Sequence, residues 1–208
     1  MNTPVADRSS ESESSQSAAW ARYLQQYPDA WNGPLLRLVE ADESGLTVAP
    51  GWYCDYVEAR DPESTSDSIF VAVSGVLSVD KAYVLGRRAA GTSDPGTWEF
   101  APAGGLQELP LGKQLTVEIE EELGLDARFF HVLSPVGMFV NQIGNIADVI
   151  IPVEVEVSGL EVLEAFMPGE YDEIRVLSAP EIIKHVREMD SPSGLLACVI
   201  QLIENGAL

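Results

Sequence analysis

The sequence predicts a mixed α/β (α+β) domain, a β-sheet sandwiched between helices, with a small N-terminal extension. Three observations lead there. Short β-prone runs recur from residue 68 to residue 177, amphipathic helical stretches interrupt and follow them, and 46% of the 208 residues are hydrophobic. A chain of that length and composition buries a core without disulfides or structural metal, and short strands around two or three helices make a layered structure.

The elements follow in order. Residues 1–17, rich in Ser and Glu, bury too little surface to repay ordering and read as a disordered tail. Residues 18–67 form the extension. Trp20, Tyr23, Leu24 and Tyr27 have helical spacing up to Pro28, and the runs 35–39 and 46–48 flank a turn at 42–45, which reads as a hairpin. Residues 51–60 fit a short helix or a loop equally, and 61–67 are polar loop. The main domain spans 68–208. Strands are expected at 69–79 and from Ala82 to Arg88, then at 98–100, 128–133, 137–140, 147–157 and 173–177. A helix is expected from Lys113 to Leu123, with Gly124 suited to a left-handed C-terminal position. Two helices close the chain, 179–187 and 192–204, the second with Ser191 as its cap.

Charge limits the partners. Asp and Glu outnumber Lys and Arg 33 to 12, for a formal charge of -21. Nucleic acid needs a basic footprint, and no Lys/Arg run supplies one. Cys54 and Cys198 are far apart without metal or redox spacing, so they read as reduced thiols of a cytoplasmic protein. Residues 1–19 lack the apolar run of a signal peptide, and no apolar stretch is long enough for a transmembrane helix.

The chemistry concentrates on the helix KQLTVEIEEELGL, residues 113–125. Leu115, Ile119 and Leu123 form an apolar stripe, and Glu118, Glu121 and Glu122 form the stripe beside it, since offsets of three and four meet on a helix surface. Glu120 points elsewhere. Three adjacent carboxylates repel one another, and a hard cation such as Mg2+, which prefers oxygen ligands, relieves the repulsion. A solvated Glu-rich face is the alternative. Gly104 and Gly105 precede the helix, where backbone without Cβ closely approaches a phosphate or turns tightly. His131 and His185 read as structural and surface residues.

The stretch from Val84 to Leu125 resembles the central region of the Nudix hydrolases. Pro95-Gly96-Thr97-Trp98-Glu99-Phe100 and Pro102-Ala103-Gly104-Gly105 match the approach to the Nudix box, and Glu118, Ile119, Glu121, Glu122, Gly124 and Leu125 match its second half. The first half departs. The loop from Gly105 to Lys113 is about two residues short, Glu108 is an out-of-register candidate for the missing glutamate, and Val117 stands where the family carries an arginine that holds its glutamates.

The resemblance implies a Nudix fold and metal-dependent hydrolysis of the diphosphate linkage of a nucleoside diphosphate derivative. Glu118, Glu121 and Glu122 would bind Mg2+ (or Mn2+) and act in catalysis. Glu170 is the candidate base outside the box, with Glu173 next. Arg87, Arg88, Gly104 and Gly105 would bind substrate, the guanidinium fork being suited to phosphate. Trp31-Asn32-Gly33-Pro34 and the segments around Arg37, Leu46, Tyr53 and Tyr56 are similar to the leader of the UDP-sugar pyrophosphatase-like branch, which implies a nucleotide sugar such as UDP-glucose. Trp31 and Tyr53 read as base-stacking or, by preference, packing residues. Many relatives pair, so a homodimer is left open. The alternative, favoured by Val117 and the short loop, is a catalytically impaired Nudix-fold nucleotide-binding or regulatory protein.

Overall fold

The computed structural model describes residues 17–42, 45–92, 94–188 and 192–205. The tail, apart from Ser17, and the expected cap Ser191 lie outside them. The chain divides into two compact units: Met1–Val71 with Gly105–Glu108 and Val140–Ala147, and Ala72–Gly104 with Leu109–Phe139 and Asp148–Leu208.

In the first unit, helix α1 (Ala18–Gln26) begins where the Ser17 hydroxyl accepts the Trp20 N–H at 3.1 Å. Strands β1 (Pro34–Asp42) and β2 (Gly45–Trp52) form the expected antiparallel hairpin, with a register shift between Leu38 and Glu40. The ambiguous segment resolves into helix α2 (Tyr53–Arg60). Side chains distant from its apolar pattern start it: Asp55 accepts the Trp52 N–H at 2.8 Å and Asn32 accepts the Cys54 N–H at 2.9 Å. Leu35, Ala59 and Phe70 are buried, with Tyr53 and Tyr56 against them. The Tyr53 hydroxyl shares a 3.0 Å hydrogen bond with that of Tyr23, among the rings of Trp20, Trp31 and Tyr56. Tyr53 is a packing residue.

The second unit is built on strand β3 (Phe70–Val79), of which Ala72 onward lies in this unit. Asp80 and Lys81, both at positive φ, turn it into β4 (Ala82–Arg88). Short strands β5 (Trp98–Phe100) and β6 (Ala103–Gly105) follow, then helix α3 (Leu111–Leu123). The helix starts two residues earlier than expected because Gly112 joins its first turn, its carbonyl accepting the Thr116 hydroxyl at 2.9 Å. It ends at Gly124, as expected, with φ 69°. A 3-10 turn (Ala127–Phe129) takes the start of the strand expected from 128, leaving β7 (Phe130–Val132). Then come β8 (Gly137–Asn141), β9 (Ile146–Val155), α4 (Gly159–Ala165), β10 (Tyr171–Ser178), α5 (Ala179–Glu188) and α6 (Gly194–Glu204). Ser193 caps α6, accepting the Leu196 N–H at 3.0 Å. Helix α4 escaped the periodicity, yet its capping box is plain in the sequence: the Ser158 hydroxyl and the Glu161 carboxylate satisfy each other's backbone N–H.

Strand order β10-β4-β3 sets the frame, with β5 also on β4, and with β9 pairing β3, β7 and β8. Helices α5 and α6 close one buried cluster, where Ile182, Leu196 and Val199 meet Val76, Leu85, Trp98, Phe100 and Ile150. This is the mixed α/β class the sequence predicts.

A part-buried polar pair adjoins that apolar interior. Ser74 on β3 donates to Asp148 on β9 at 3.2 Å, and burial pushes the Asp148 carboxyl from 3.8 up to about 6. A carboxyl raised in the folded state holds a proton that the unfolded chain has released, so stability falls as pH rises from about 4 to 6 and stays reduced above that. Asp148→Asn, which keeps an oxygen for Ser74, should flatten that fall and melt above wild type at pH 7. Melting curves at pH 4 and 7 in chelator check this, and parallel curves for the two proteins would contradict it.

Candidate active site

The site is assembled by strand register. Arg87 on β4 lies opposite Trp98 on one side and Glu173 on the other, while Arg88 lies opposite Tyr171. Between Tyr171 and Glu173 the β10 register shifts, and such an extra residue re-aims side chains at a strand end. Asp172 is that residue, and it accepts from Arg87 Nε at 2.8 Å.

The two arginines, read from the sequence as equivalent phosphate contacts, are placed differently. Arg87 is 40% exposed and paired with Asp172 and, at 3.4 Å, with Glu173. Arg88 is 15% exposed, with Nη1 on Glu99 at 3.0 Å and Nη2 on Glu170 at 3.5 Å. Burial works against its charge, but Glu99, Tyr171 and Glu170 outweigh that and raise its pKa. Burial pushes the Glu99 carboxyl up, opposed by Arg88 and by the Tyr171 hydroxyl, which donates to it at 3.1 Å. Glu99 lies within the motif legible in the sequence, but its part-buried ion pair with Arg88 is not.

Helix α3 turns its apolar stripe inward, with Leu115, Ile119 and Leu123 fully buried. The neighbouring stripe divides. Glu122 is only 8% exposed and its Oε2 accepts the Ala103 N–H at 3.3 Å. Glu118 is half-buried against Gly104, its Oε1 accepting from Gln114 Nε2 at 2.6 Å. Glu121 faces solvent, and Glu120 accepts the Ala127 N–H at 3.2 Å. Burial pushes Glu122 from 4.5 up to about 9, with Glu170 and Glu118 adding repulsion. Burial likewise raises Glu118, assisted by Glu170 and Glu121 and opposed by Gln114.

The remaining candidates make other contacts. Gly105 belongs to the first unit, where a Cβ would lie 2.6 Å from Leu35 Cδ1. Glu108 is exposed in that unit. Glu173 is held by Arg175 at 2.6 Å as well as by Arg87. His185 accepts from Arg175 Nη1 at 2.6 Å and meets the Trp98 ring edge-on. His131 pairs with Glu156 at 2.8 Å on the surface.

A cavity of about 540 Å³ opens beside the arginines, lined by Arg87, Arg88, Pro95, Gly96, Trp98 and Asp172. That volume suits a small-molecule ligand. Among the described residues no three Asp, Glu, His or Cys side chains converge into a ready-made metal cage. Mg2+ does not require one, because it keeps several waters and is held by one or two carboxylates plus substrate phosphates. Glu118 and Glu122 fit such a site by their chemistry: two oxygen donors whose mutual repulsion a cation would relieve.

No protein-family model and no curated protein matches this sequence. Solved structures do. DR0079 from Deinococcus radiodurans aligns with a TM-score of 0.56 at 15% identity, over 81% of this chain and 97% of its own. A NUDIX hydrolase from Nitrosomonas europaea aligns at 0.50 and 17% identity, over 65% and 88%. A MutT protein from Methanosarcina mazei Go1 aligns at 0.52 and 15%, over 66% and 94%. The chain has the Nudix fold.

Proposed function

We propose that this protein hydrolyses the diphosphate linkage of a nucleoside diphosphate derivative, a nucleotide sugar such as UDP-glucose foremost, with Mg2+ or Mn2+ as cofactor. One observation carries the reading: Glu118 and Glu122 come off one helix onto the backbone at Ala103 and Gly104, within electrostatic reach of Glu170. Likeness of fold supports it, as does the approach motif ending at Gly105. The leader similarity supports the sugar.

In this reading Glu118 and Glu122 hold the cation, with Glu121 supplying negative potential from the solvent side. When bound, the metal supplies Lewis acidity toward the phosphate oxygens. Glu170 accepts the proton of the attacking water, a role suited to an exposed carboxylate beside the glutamate pair. Arg87, which lines the cavity, donates to a phosphate oxygen, exchanging part of its pairing with Asp172. Gly104 leaves room for the Glu118 carboxylate. Cys54 and Cys198, not joined in a disulfide, fit a reducing cytoplasm. Among the described residues no helix is long and apolar enough to cross a membrane.

The test is product formation from UDP-glucose, ADP-ribose, NADH, a nucleoside triphosphate and a dinucleoside polyphosphate with Mg2+ or Mn2+. Metal-dependent cleavage of UDP-glucose to UMP and sugar phosphate is the expected result. Cleavage of another compound alone moves the substrate class. Binding without cleavage would make this a Nudix-fold binding protein instead, the reading that Val117 and the shortened loop favour.

A further inference from the structure

Resting on the hydrolase reading above, we infer that Arg88 is a positioning residue, which fixes Glu170 beside the α3 glutamates, rather than a contact to substrate phosphate. Helix α3 carries one basic side chain, Lys113, and exposed Val117 immediately precedes Glu118. The helix therefore has no cation next to Glu118 that could orient the acidic cluster. Arg88 reaches the cluster from the sheet.

Its anchoring is double. Nη1 and the Tyr171 hydroxyl both donate to Glu99 Oε1, which ties β4, β5 and β10 together at one carboxylate oxygen. Nη2 extends from that anchor to Glu170 Oε2 at 3.5 Å, and the N–H of Ala89, the next residue, donates to the Glu170 carbonyl at 2.8 Å. Glu170 is thus held at its side chain by Arg88 and at its backbone by Ala89, though its carboxylate is 58% exposed. An exposed glutamate at a strand end otherwise samples many rotamers.

The arrangement is costly. Arg88 Nε is buried without a protein acceptor, and a buried donor left so in a native structure calls for an explanation. A buried ion pair is also weak grounds for stability, since uncharged side chains of similar size often do as well. Each arginine is held by two carboxylates, but Arg88 is 15% exposed against 40% for Arg87. Both arginines line the cavity, and Arg87, the more exposed of the two, is the one left to meet substrate.

The experiment compares Arg87→Ala, Arg88→Gln and the double variant Arg88→Met/Glu99→Gln with wild type. The double variant leaves no unpaired buried charge and lets Tyr171 donate to a neutral oxygen, so it keeps the test valid if Arg88→Gln fails to fold. Steady-state kinetics should show kcat lowered about 10- to 100-fold with KM little changed for both Arg88 variants, the cost of losing an outer-shell partner. Arg87→Ala should mainly raise KM. Hydrogen exchange over residues 166–172, followed by mass spectrometry, should speed up in the Arg88 variants and not in Arg87→Ala. A rise in KM alone for Arg88→Met/Glu99→Gln would make Arg88 a substrate contact and overturn the inference. If wild type cleaves nothing, the hydrolase reading falls by itself. Exchange over 166–172 then decides the positioning role, and unchanged exchange in the Arg88 variants refutes it.

Discussion

Glu122→Gln should lower turnover at least about 100-fold, the upper end of what loss of an outer-shell partner costs a metal site, while making the metal-free protein more stable. The two effects have one cause. Glu122 sits in the fold with its carboxyl pushed from 4.5 to about 9, first by burial and then by Glu170 and Glu118. Between those values the folded protein binds a proton that the unfolded chain does not, so unfolding free energy falls as pH rises through that window. Glutamine cannot ionise, and its carbonyl still accepts the Ala103 N–H. At pH 8 in chelator the variant should gain more than about 1.4 kcal/mol, the equivalent of one pKa unit, which is roughly 3–6 °C in Tm for a chain of this size. Near pH 4 the gain should vanish. Mg2+ should raise the Tm of wild type and leave the variant unmoved, because a cation stabilises the ionised pair only where both carboxylates exist. Equal melting curves at pH 8 would mean that Glu122 carries no such burden.

That prediction depends on a division the sequence did not show. Periodicity put Glu118, Glu121 and Glu122 on one stripe, and the stripe is real, but its width spans the boundary between sheet and solvent: Glu122 is buried, Glu118 half-buried and Glu121 exposed. A helical repeat orders residues around an axis. It does not say which angle meets the neighbouring element. The strands were legible because Val153-Glu154-Val155 and the run from Phe70 to Val79 announce a wet face and a fully buried one. Glycine behaved as its chemistry demands at Gly124, where φ is 69°. What the sequence could not supply were the contacts across long separations. Arg88 and Glu99 are in one motif, yet their meeting with Tyr171 and Glu170 depends on β10 returning beside β4. Arg87 and Arg88 look alike as neighbours in a chain and both line the cavity, but Arg87 stays 40% exposed against Asp172 while Arg88, 15% exposed, is drawn toward Glu99 and Glu170. Capping signals mark two further helix starts. Ser158 and Glu161 had the spacing that starts α4, and Asp55 stood ready to start α2.

Gly104→Ala separates the site from the fold most cleanly. A Cβ at Gly104 would lie 2.3 Å from both Cδ and Oε1 of Glu118 and 2.8 Å from Oε2. No such contact survives, so something must move. The colliding atoms are the far end of a flexible side chain, and the backbone at Gly104 is not among the positive-φ glycines. The cheap response is rotation of the Glu118 carboxylate away, at the cost of its 2.6 Å bond from Gln114. Stability should therefore change by no more than about 1 kcal/mol, the typical size of a Gly/Ala difference within an element, whereas turnover should fall about 100-fold, as a misplacement near 1 Å does elsewhere. Glu118→Gln should fall by a similar factor. The double variant Gly104→Ala/Glu118→Gln should be no worse than the poorer single one, because residues acting through one displaced carboxylate are not additive. Multiplying losses in the double variant would show that Gly104 serves the reaction by some route other than the space it leaves for Glu118.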